Sequence, residues 1–377
     1  MWNYTENNTW FEIGKSSVRP RAIKMWERGE FDWESWQLLA DNGFWKIAVP
    51  SDLGGEDGDW HEFADALQSV ASGGLDLGFC LSIIAHAGLV RTLVNYGTEE
   101  QQQEFLPMAM SGSVGLTALT EPESGSDVSR TATIARTDTG GKMRLYGTKD
   151  HITHGPIADL GLVLGRADWL PSKKDISVFV LDLNRDEVER DSTENLFGNR
   201  TSPTGKLSLN GYSLTERNIL NPIGDGLKII YDTICLDRLL YGVVAVPFLT
   251  YIKDRMLSFS TERIAFSEPI ENYQYVQERI VRAETNAVSV EAVARHALDE
   301  MQNESTQSSM VSSMAKMIGA EALLESSQDL LRLLGHTGYE TGEVTKLLSD
   351  AHGVVIAGGT VEMQKKNIFT QIKKGAA

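Results

Sequence analysis

The spacing of apolar residues changes twice along this chain, and these changes constrain its fold more than any other feature. Residues 1–114 repeat apolar side chains at intervals of three and four, which predicts helices. Residues 115–220 instead contain short β-rich runs separated by turn residues, and helical spacing returns over 221–377. Because helices and strands are segregated rather than alternating, the order predicts an α+β fold with three domains at these boundaries.

The individual elements follow from the same periodicities. In the first zone, helices are predicted over 33–43, 79–96 and 99–112. In the second, strands are predicted over 115–120, at Ile134, and over 144–146, 161–165, 176–183 and 206–209. Their short length and irregular spacing favour an antiparallel barrel or sandwich. In the third, helices are predicted over 227–249, 274–302, 308–334, 341–352 and 361–372.

The composition excludes several classes of function. The chain has 52 acidic and 35 basic residues and a net charge of −17, so no basic surface is available for nucleic acid or an anionic membrane. Its two cysteines exclude a disulfide framework and a thiolate zinc site. The most apolar stretch, at 239–249, is too short to span a bilayer, and the first residues do not resemble a signal peptide. We therefore expect a cytoplasmic protein without a membrane partner.

Common catalytic motifs are missing from the sequence. It contains no G-x-G-x-x-G loop after a strand, no H-E-x-x-H and no G-x-S-x-G. His151 and His154 lie three residues apart in a strand-like segment, where their side chains would point to opposite faces. We therefore predict no metal site.

Six segments, taken in order, carry the strongest functional signal. Residues 119–127 read Leu-Thr-Glu-Pro-Glu-Ser-Gly-Ser-Asp. The other five include Gly147, Lys149, Thr153 and Asp159; Arg200 and Ser202; Arg263, Phe266 and Gln274; Gly335 and Gly338; and Thr360, Glu362 and Gln364. Together they resemble the signature segments of the acyl-CoA dehydrogenase superfamily over nearly the whole chain. The resemblance implies a helical N-terminal domain, a middle antiparallel β-barrel and a C-terminal four-helix bundle.

The resemblance also implies bound FAD. Leu119 and Thr120 would present amide groups and a hydroxyl to the flavin pyrimidine edge, and the turn at Gly125 and Ser126 would suit a phosphate. Thr153 would place its hydroxyl against the flavin N5 atom. His151 stands where the family usually has an aromatic residue against the flavin.

A second set of residues is expected to reach FAD across a subunit interface. The guanidinium of Arg263 is well matched to a pyrophosphate. In the family, this arginine, with Phe266 and Gln274, reaches a flavin bound mainly by a neighbouring subunit. Gly335, Thr360 and Glu362 would line the dinucleotide, and Arg332 stands where many members have glutamine. We therefore expect a homodimer or a homotetramer.

The sequence departs from the family at the catalytic base. Most members have a glutamate directly before the Gly-Thr pair, where this chain has Gly358. A subgroup that includes isovaleryl-CoA dehydrogenase places the glutamate before an arginine on the long helix after the barrel. Asp237 and Arg238 occupy that position here, and the side chain of Asp237 is one methylene shorter than that of glutamate. The small Gly358 opposite is expected to leave room for it. Asp237 is thus the candidate base, with Arg238 beside it; a structural aspartate paired with a basic residue is the alternative.

Three functions are compatible with this pattern. The leading hypothesis is an FAD-dependent oxidoreductase that acts on the CH–CH group of an acyl thioester, carried by CoA or a carrier protein. Its electron acceptor would be an electron-transfer flavoprotein or oxygen. The alternatives are a flavin monooxygenase or oxidase that uses His151 and His336, and an FAD-binding protein without turnover.

Overall fold

The first part of the chain is helical. A computed structural model describes residues 8–375, so the signal-peptide expectation concerns a segment that lies partly outside the described residues. The helices are α1 (Thr9–Ile13), α2 (Arg19–Arg28), α3 (Trp33–Asp41), α4 (Trp60–Gly74), α5 (Leu77–Tyr96) and α6 (Glu99–Met110). Side chains fix their starts. Asp59 and Glu62 form a capping box on α4, and Asp76 accepts a hydrogen bond from an amide of the first turn of α5.

The middle part is a seven-stranded sheet. Its strands are β1 (Gly115–Ala118), β2 (Ile134–Thr137), β3 (Met143–Thr153), β4 (Leu160–Ala167), β5 (Ile176–Asp182), β6 (Val188–Arg190) and β7 (Thr204–Leu214). The antiparallel expectation holds for the β2–β3, β3–β7, β4–β5 and β6–β7 pairs. It is wrong for β4, which pairs in parallel with both β1 and β2.

The mixed pairing has a simple origin. β1 and β2 lie one after the other along the same edge of β4, with Ala118 opposite Val163 and Ile134 opposite Arg166. The segment 119–133 leaves this edge after β1 and returns to it without reversing the chain direction. As a result, the segment that carries the flavin-like signature is displayed at a gap in the sheet edge.

The last part of the chain is a helical bundle. Its elements are α7 (Gly226–Glu262), the hairpin β8 (Ile264–Ala265) and β9 (Glu268–Pro269), α8 (Gln274–Gln302), α9 (Ser308–Leu334), α10 (His336–Tyr339), α11 (Glu343–Ile356) and α12 (Val361–Gly375). Helix α9 packs against α7, α8, α11 and α12. The predicted bounds of α8 and α9 are confirmed. Helix α7 extends 13 residues beyond its predicted end because its later turns are polar on one side.

Two helices are longer and more apolar than the sequence analysis recognised. By length and composition, α5 and α7 could each cross a membrane. In the fold, 89% and 83% of their most apolar windows are buried. They pack against each other, and α4 packs on both. Their hydrophobicity is therefore accounted for by the protein core.

A buried ionic cluster connects the three parts of the chain. The Lys346 Nζ on α11 donates to Asp350 Oδ2 at 2.7 Å and to Asp76 Oδ1 at 3.1 Å. From the segment before β7, the Asn199 amide donates to Asp350, and the Thr201 hydroxyl donates to Asp76 at 2.7 Å. The two carboxylates outweigh the effect of burial and raise the pKa of Lys346. Through Asn199 and Thr201, the 198–204 segment therefore has a structural role, which is to bind the two buried carboxylates.

Candidate active site

A buried carboxylate holds the 119–133 segment in shape. Glu121 accepts hydrogen bonds from Lys149 Nζ at 2.7 Å and from the hydroxyls of Thr131 and Thr133 at 2.5 and 2.6 Å. It also accepts one from the amide of Ala132 at 2.6 Å. Burial alone would raise the pKa of Glu121, but these donors lower it to about 2. Glu121 is therefore a structural anion, a role that the sequence analysis did not assign.

Several backbone amides of the same segment have no acceptor within residues 8–375. The Leu119 carbonyl accepts from Lys149 Nζ at 3.1 Å, and the Thr120 carbonyl accepts from the Asp150 amide at 2.9 Å. Within residues 8–375, no protein acceptor binds the amides of Leu119, Thr120, Gly125 or Ser126. A Cβ atom at Gly125 would meet nothing within 4 Å. Carbonyls turned inward and amides left open suit a flavin edge and a phosphate, so these residues fit FAD.

Two further hydroxyls near this segment lack protein partners. Thr117 on β1 has a buried Oγ1 atom without a hydrogen bond in the described part of the chain. Thr153 ends β3, opposite Thr204. It is partly buried, and its hydroxyl is likewise unpaired within residues 8–375. Thr153 thus remains suited to the contact that the sequence predicts.

His151 and His154 are separated as the sequence predicts. His151 is exposed, has a φ of 54° and donates from Nδ1 to Glu194 at 3.0 Å. With Asp150 and Glu194, it places three ligand-type atoms within 4.8 Å of one another. His154 is buried, and its Nδ1 donates to the Gly115 carbonyl at 2.8 Å. Exposed acidic groups around one histidine do not by themselves form a metal site.

Two buried histidines fix the start of β1. His86 on α5 accepts from the Gly115 amide at 3.0 Å and donates to the Ala109 carbonyl at 3.1 Å. Burial lowers the pKa of His86 to about 3 and that of His154 to about 4. Both side chains are therefore neutral and structural. The role of His86 was not predicted from the sequence.

Asp237 lies on α7 and faces α5. It is partly buried, and its Oδ1 atom is shielded from solvent and has no hydrogen-bond partner in the described part of the chain. A Cβ atom added to Gly88 on α5 would lie 2.6 Å from this oxygen. Burial raises the pKa of Asp237 to about 8, despite the opposing charges of Arg238 and Arg91. An unpaired carboxyl that titrates near neutrality is suited to general-base catalysis.

The neighbouring arginines are engaged elsewhere. Arg91 forms a two-point ion pair with Asp232, at 2.7 and 3.1 Å. Arg238 points to α9, where its Nη1 atom donates to Ser313 Oγ at 3.4 Å. Within residues 8–375, no hydrogen bond or ion pair joins Asp237 to either arginine. The alternative of a structurally paired aspartate is thus not supported, and Arg238 acts on Asp237 only through its charge.

The expected free space at Gly358 is occupied. Gly358 has a φ of 65°, and a Cβ atom there would lie 2.5 Å from Cε2 of Tyr241. The expectation that this glycine leaves room opposite Asp237 is therefore wrong. Tyr241, which lies one helical turn after Asp237, fills that room.

The second predicted set of flavin residues is mostly exposed. Arg263, Phe266 and Gln274 are exposed between α7 and α8, with Phe266 92% exposed. Arg332, Gly335 and Glu362 are also exposed, whereas Thr360 is partly buried and caps α12. Within residues 8–375, no hydrogen bond or ion pair joins the first three side chains to the 119–153 segment. The contact of these three residues with the flavin of a neighbouring subunit therefore stays a prediction.

Comparison with known families decides the relationship. The sequence matches the acyl-CoA dehydrogenase N-terminal domain at residues 9–113, the middle domain at 117–212 and the C-terminal domain at 224–373. The chain belongs to the acyl-CoA dehydrogenase family. It is therefore an FAD-dependent oxidoreductase, since members of this family bind FAD and act on the CH–CH group.

Individual relatives of the acyl-CoA dehydrogenase family agree over the full length. The chain is 26% identical to a 3-(aryl)acrylate reductase of Clostridium sporogenes, covering 96% of each protein. The prolyl acyl carrier protein oxidase AnaB is 26% identical, with a TM-score of 0.91 and 96% of each chain covered. Butyryl-CoA dehydrogenase of Megasphaera elsdenii is 23% identical, with a TM-score of 0.90 and the same coverage. These structures confirm the α+β fold.

Proposed function

We propose that this protein oxidises the α,β bond of an acyl thioester and that Asp237 is its general base. The observation that carries the proposal is the unpaired Oδ1 atom of Asp237, enclosed between α5 and α7. A glycine at 358 cannot accept a proton, so Asp237 replaces the glutamate that most of the family has there. A carboxyl whose pKa is about 8 holds an abstracted proton readily.

The proposed reaction is balanced in atoms and electrons. Asp237 takes the α-proton, the β-hydrogen leaves with its electron pair as a hydride, and the product is the α,β-unsaturated thioester. FAD, when bound, supplies the acceptor for that hydride. The free amides of the 119–126 segment and the Thr153 hydroxyl would hold and orient it.

Support for a thioester comes from the relatives. One is named a reductase of 3-(aryl)acrylates and another an oxidase of a prolyl carrier protein. The first name specifies an α,β-unsaturated acid, and the second specifies an acyl carrier protein, which holds its acyl group as a thioester. We therefore include both CoA and carrier-protein thioesters in the proposed substrate class, and either an electron-transfer flavoprotein or oxygen as the acceptor.

The proposed assembly is a homodimer or a homotetramer. Arg263, Phe266 and Gln274 are exposed and, within residues 8–375, make no hydrogen bond or ion pair with the 119–153 segment, so they would complete the FAD site of a neighbour. The hairpin that carries Phe266, which has a φ of 51°, is exposed, as a segment that contacts a neighbouring subunit would be.

The monooxygenase hypothesis gains no support from the histidines. His151 is engaged by Glu194, and His336 is exposed at the start of α10. Within the described residues, no hydrogen bond links His336 to the flavin segment. Thioester titration and oxygen consumption together test this alternative.

The experiment is anaerobic titration of the FAD-loaded protein with a panel of acyl-CoA and acyl-carrier-protein thioesters. Loss of the flavin absorbance band near neutral pH with at least one thioester is the expected result. Oxygen consumption by chemically reduced protein, without bleaching by any thioester, would favour the monooxygenase or oxidase. The absence of both flavin bleaching and oxygen consumption would favour a non-catalytic FAD-binding protein.

A further inference from the structure

The side chain of Tyr241 lies next to the proposed base, Asp237. It lies four residues after Asp237 on α7, so the two side chains share one face of the helix. The ring is 8% exposed and lies against Gly358, whose added Cβ atom would be 2.5 Å from Cε2 and 3.2 Å from Cζ. No other residue within 8–375 hydrogen-bonds the Tyr241 hydroxyl. The side chain thus acts as a bulky wall rather than as a member of a polar network.

On the other side of Asp237, α7 is packed directly against α5. Thr233 lies four residues before Asp237, and its hydroxyl is 2.6 Å from that of Thr92 on α5. The methyl group of Thr233 would be 3.3 Å from a Cβ atom at Gly88. The ion pair between Arg91 and Asp232 further joins the two helices at this end. Helices α5 and α7 are therefore sealed together one turn before Asp237.

Thr233 and Tyr241 flank Asp237 on one face of α7. Thr233 and Tyr241 are eight residues apart on one helix, which is about 12 Å along its axis. Their side chains fill part of that distance, and Gly88 on α5 packs against Asp237. An acyl group that places its α-carbon at Asp237 has little length available between these two side chains.

We infer that Tyr241 limits the acyl group, so that the substrates are thioesters of short or compact acyl groups. The inference rests on the proposed function, because it presumes that the acyl chain lies beside Asp237. The ring imposes the limit by volume, and the hydroxyl is not required for it.

The test compares three variants with the FAD-loaded parent: Tyr241→Ala, Tyr241→Leu and, as the matched control, Tyr241→Phe. Butanoyl and octanoyl pantetheine thioesters are suitable probes, because their carrier arm is shared by CoA and carrier proteins. The parent should reduce its flavin faster with the butanoyl thioester. Tyr241→Ala and Tyr241→Leu should raise the octanoyl-to-butanoyl ratio of rates at least tenfold, whereas Tyr241→Phe should leave it within twofold.

A binding measurement keeps this result separate from the proposed function. Calorimetric titration with non-oxidisable thioether analogues of both lengths reports the size limit without turnover. A parent that binds or oxidises the octanoyl compound as well as the butanoyl one overturns the inference. So does a ratio that stays unchanged in both Tyr241→Ala and Tyr241→Leu while FAD content and melting temperature remain normal. If no thioester reduces the flavin, the proposed function is contradicted instead. The ratio of affinities for the octanoyl and butanoyl analogues then still tests the role of Tyr241.

Discussion

Asp237 on α7 and Gly88 on α5 meet so closely that a Cβ atom at residue 88 would lie 2.6 Å from Asp237 Oδ1. Only a glycine permits the carboxylate to occupy this position between the two helices. The base and the residue opposite it therefore form one structural unit, although they lie in different parts of the chain.

Substitution of Gly88 should displace the carboxylate. In Gly88→Ala, the new methyl group would overlap Asp237 Oδ1, and a displacement of about 1 Å can reduce a rate by about 10²-fold. We expect thioester-driven flavin reduction to fall by that order while FAD content stays normal. Gly140→Ala, in an exposed turn, is the control and should leave the rate unchanged. A parent-like rate in Gly88→Ala would show that Asp237 is not held at this contact.

A glutamate at residue 358 should not restore the common base. Gly358→Glu would place a side chain at a φ of 65° and 2.5 Å from the Tyr241 ring. Such a left-handed conformation costs about 1–3 kcal/mol for a non-glycine residue. We expect a lower melting temperature and no recovery of flavin reduction in an Asp237→Asn background. Recovery without loss of stability would contradict the observed position of Tyr241.

The pKa of Asp237 predicts a pH dependence of both rate and stability. With a pKa of about 8, the base should be increasingly ionised, and flavin reduction faster, as the pH rises towards 8. Stability should respond in the opposite sense, because a raised pKa means that the folded state favours the protonated form. The contribution is fully present below the unfolded pKa of about 3.9 and is lost as the pH rises to about 8.

Thermal unfolding of Asp237→Asn measures this effect. The amide cannot ionise, so its melting temperature should match the parent near pH 4 and exceed it by an amount that grows up to pH 8. We expect a difference of about 2 °C or more at pH 8. A difference that is constant over this pH range would show that Asp237 has an ordinary pKa.

Glu121 should be essential for the shape of the flavin segment. Glu121→Gln would leave the Lys149 cation buried without its anion, a change that typically costs about 3–5 kcal/mol. We expect a lower melting temperature and loss of FAD. Glu123→Gln, in the same segment but exposed, is the matched control. Partial recovery in Glu121→Gln with Lys149→Met would identify the unpaired cation as the cause.

Arg263 should retain FAD through assembly. Removal of its guanidinium in Arg263→Ala should increase FAD loss on gel filtration at least tenfold, because the charge-assisted contact is lost. Arg255→Ala, on the exposed side of α7, is the control. A monomer that keeps its FAD after dilution would contradict the two-subunit site.

Periodicity predicted many of the elements but not α1, α2, α4 or β6, and it did not predict how the strands pair. The bounds of α8 and α9 are those that the sequence indicates, because apolar residues recur at helical spacing along both. The parallel pairing of β4 with β1 and β2 could not be inferred, since it depends on where the 119–133 segment returns to the sheet. Local patterns carry no information about that direction.

The site was predictable only in part, for a related reason. Asp237 could be placed by its register before Arg238, and the free amides at Leu119 and Thr120 agree with the signature. The contact between Tyr241 and Gly358 joins two helical regions far apart in the sequence. No local signal marks it, so the space at Gly358 was misjudged. Glu121 and Lys149 were visible as motif residues, but their pairing required the fold.

The most direct test of Asp237 is rapid mixing of FAD-loaded parent and Asp237→Asn with the best thioester substrate under anaerobic conditions. Asparagine keeps nearly the same shape but cannot take the proton. We expect equal FAD content and a rate of flavin reduction lower by about 10²–10⁴-fold in Asp237→Asn. Flavin reduction at the parent rate in Asp237→Asn would contradict the assignment of Asp237 as the base.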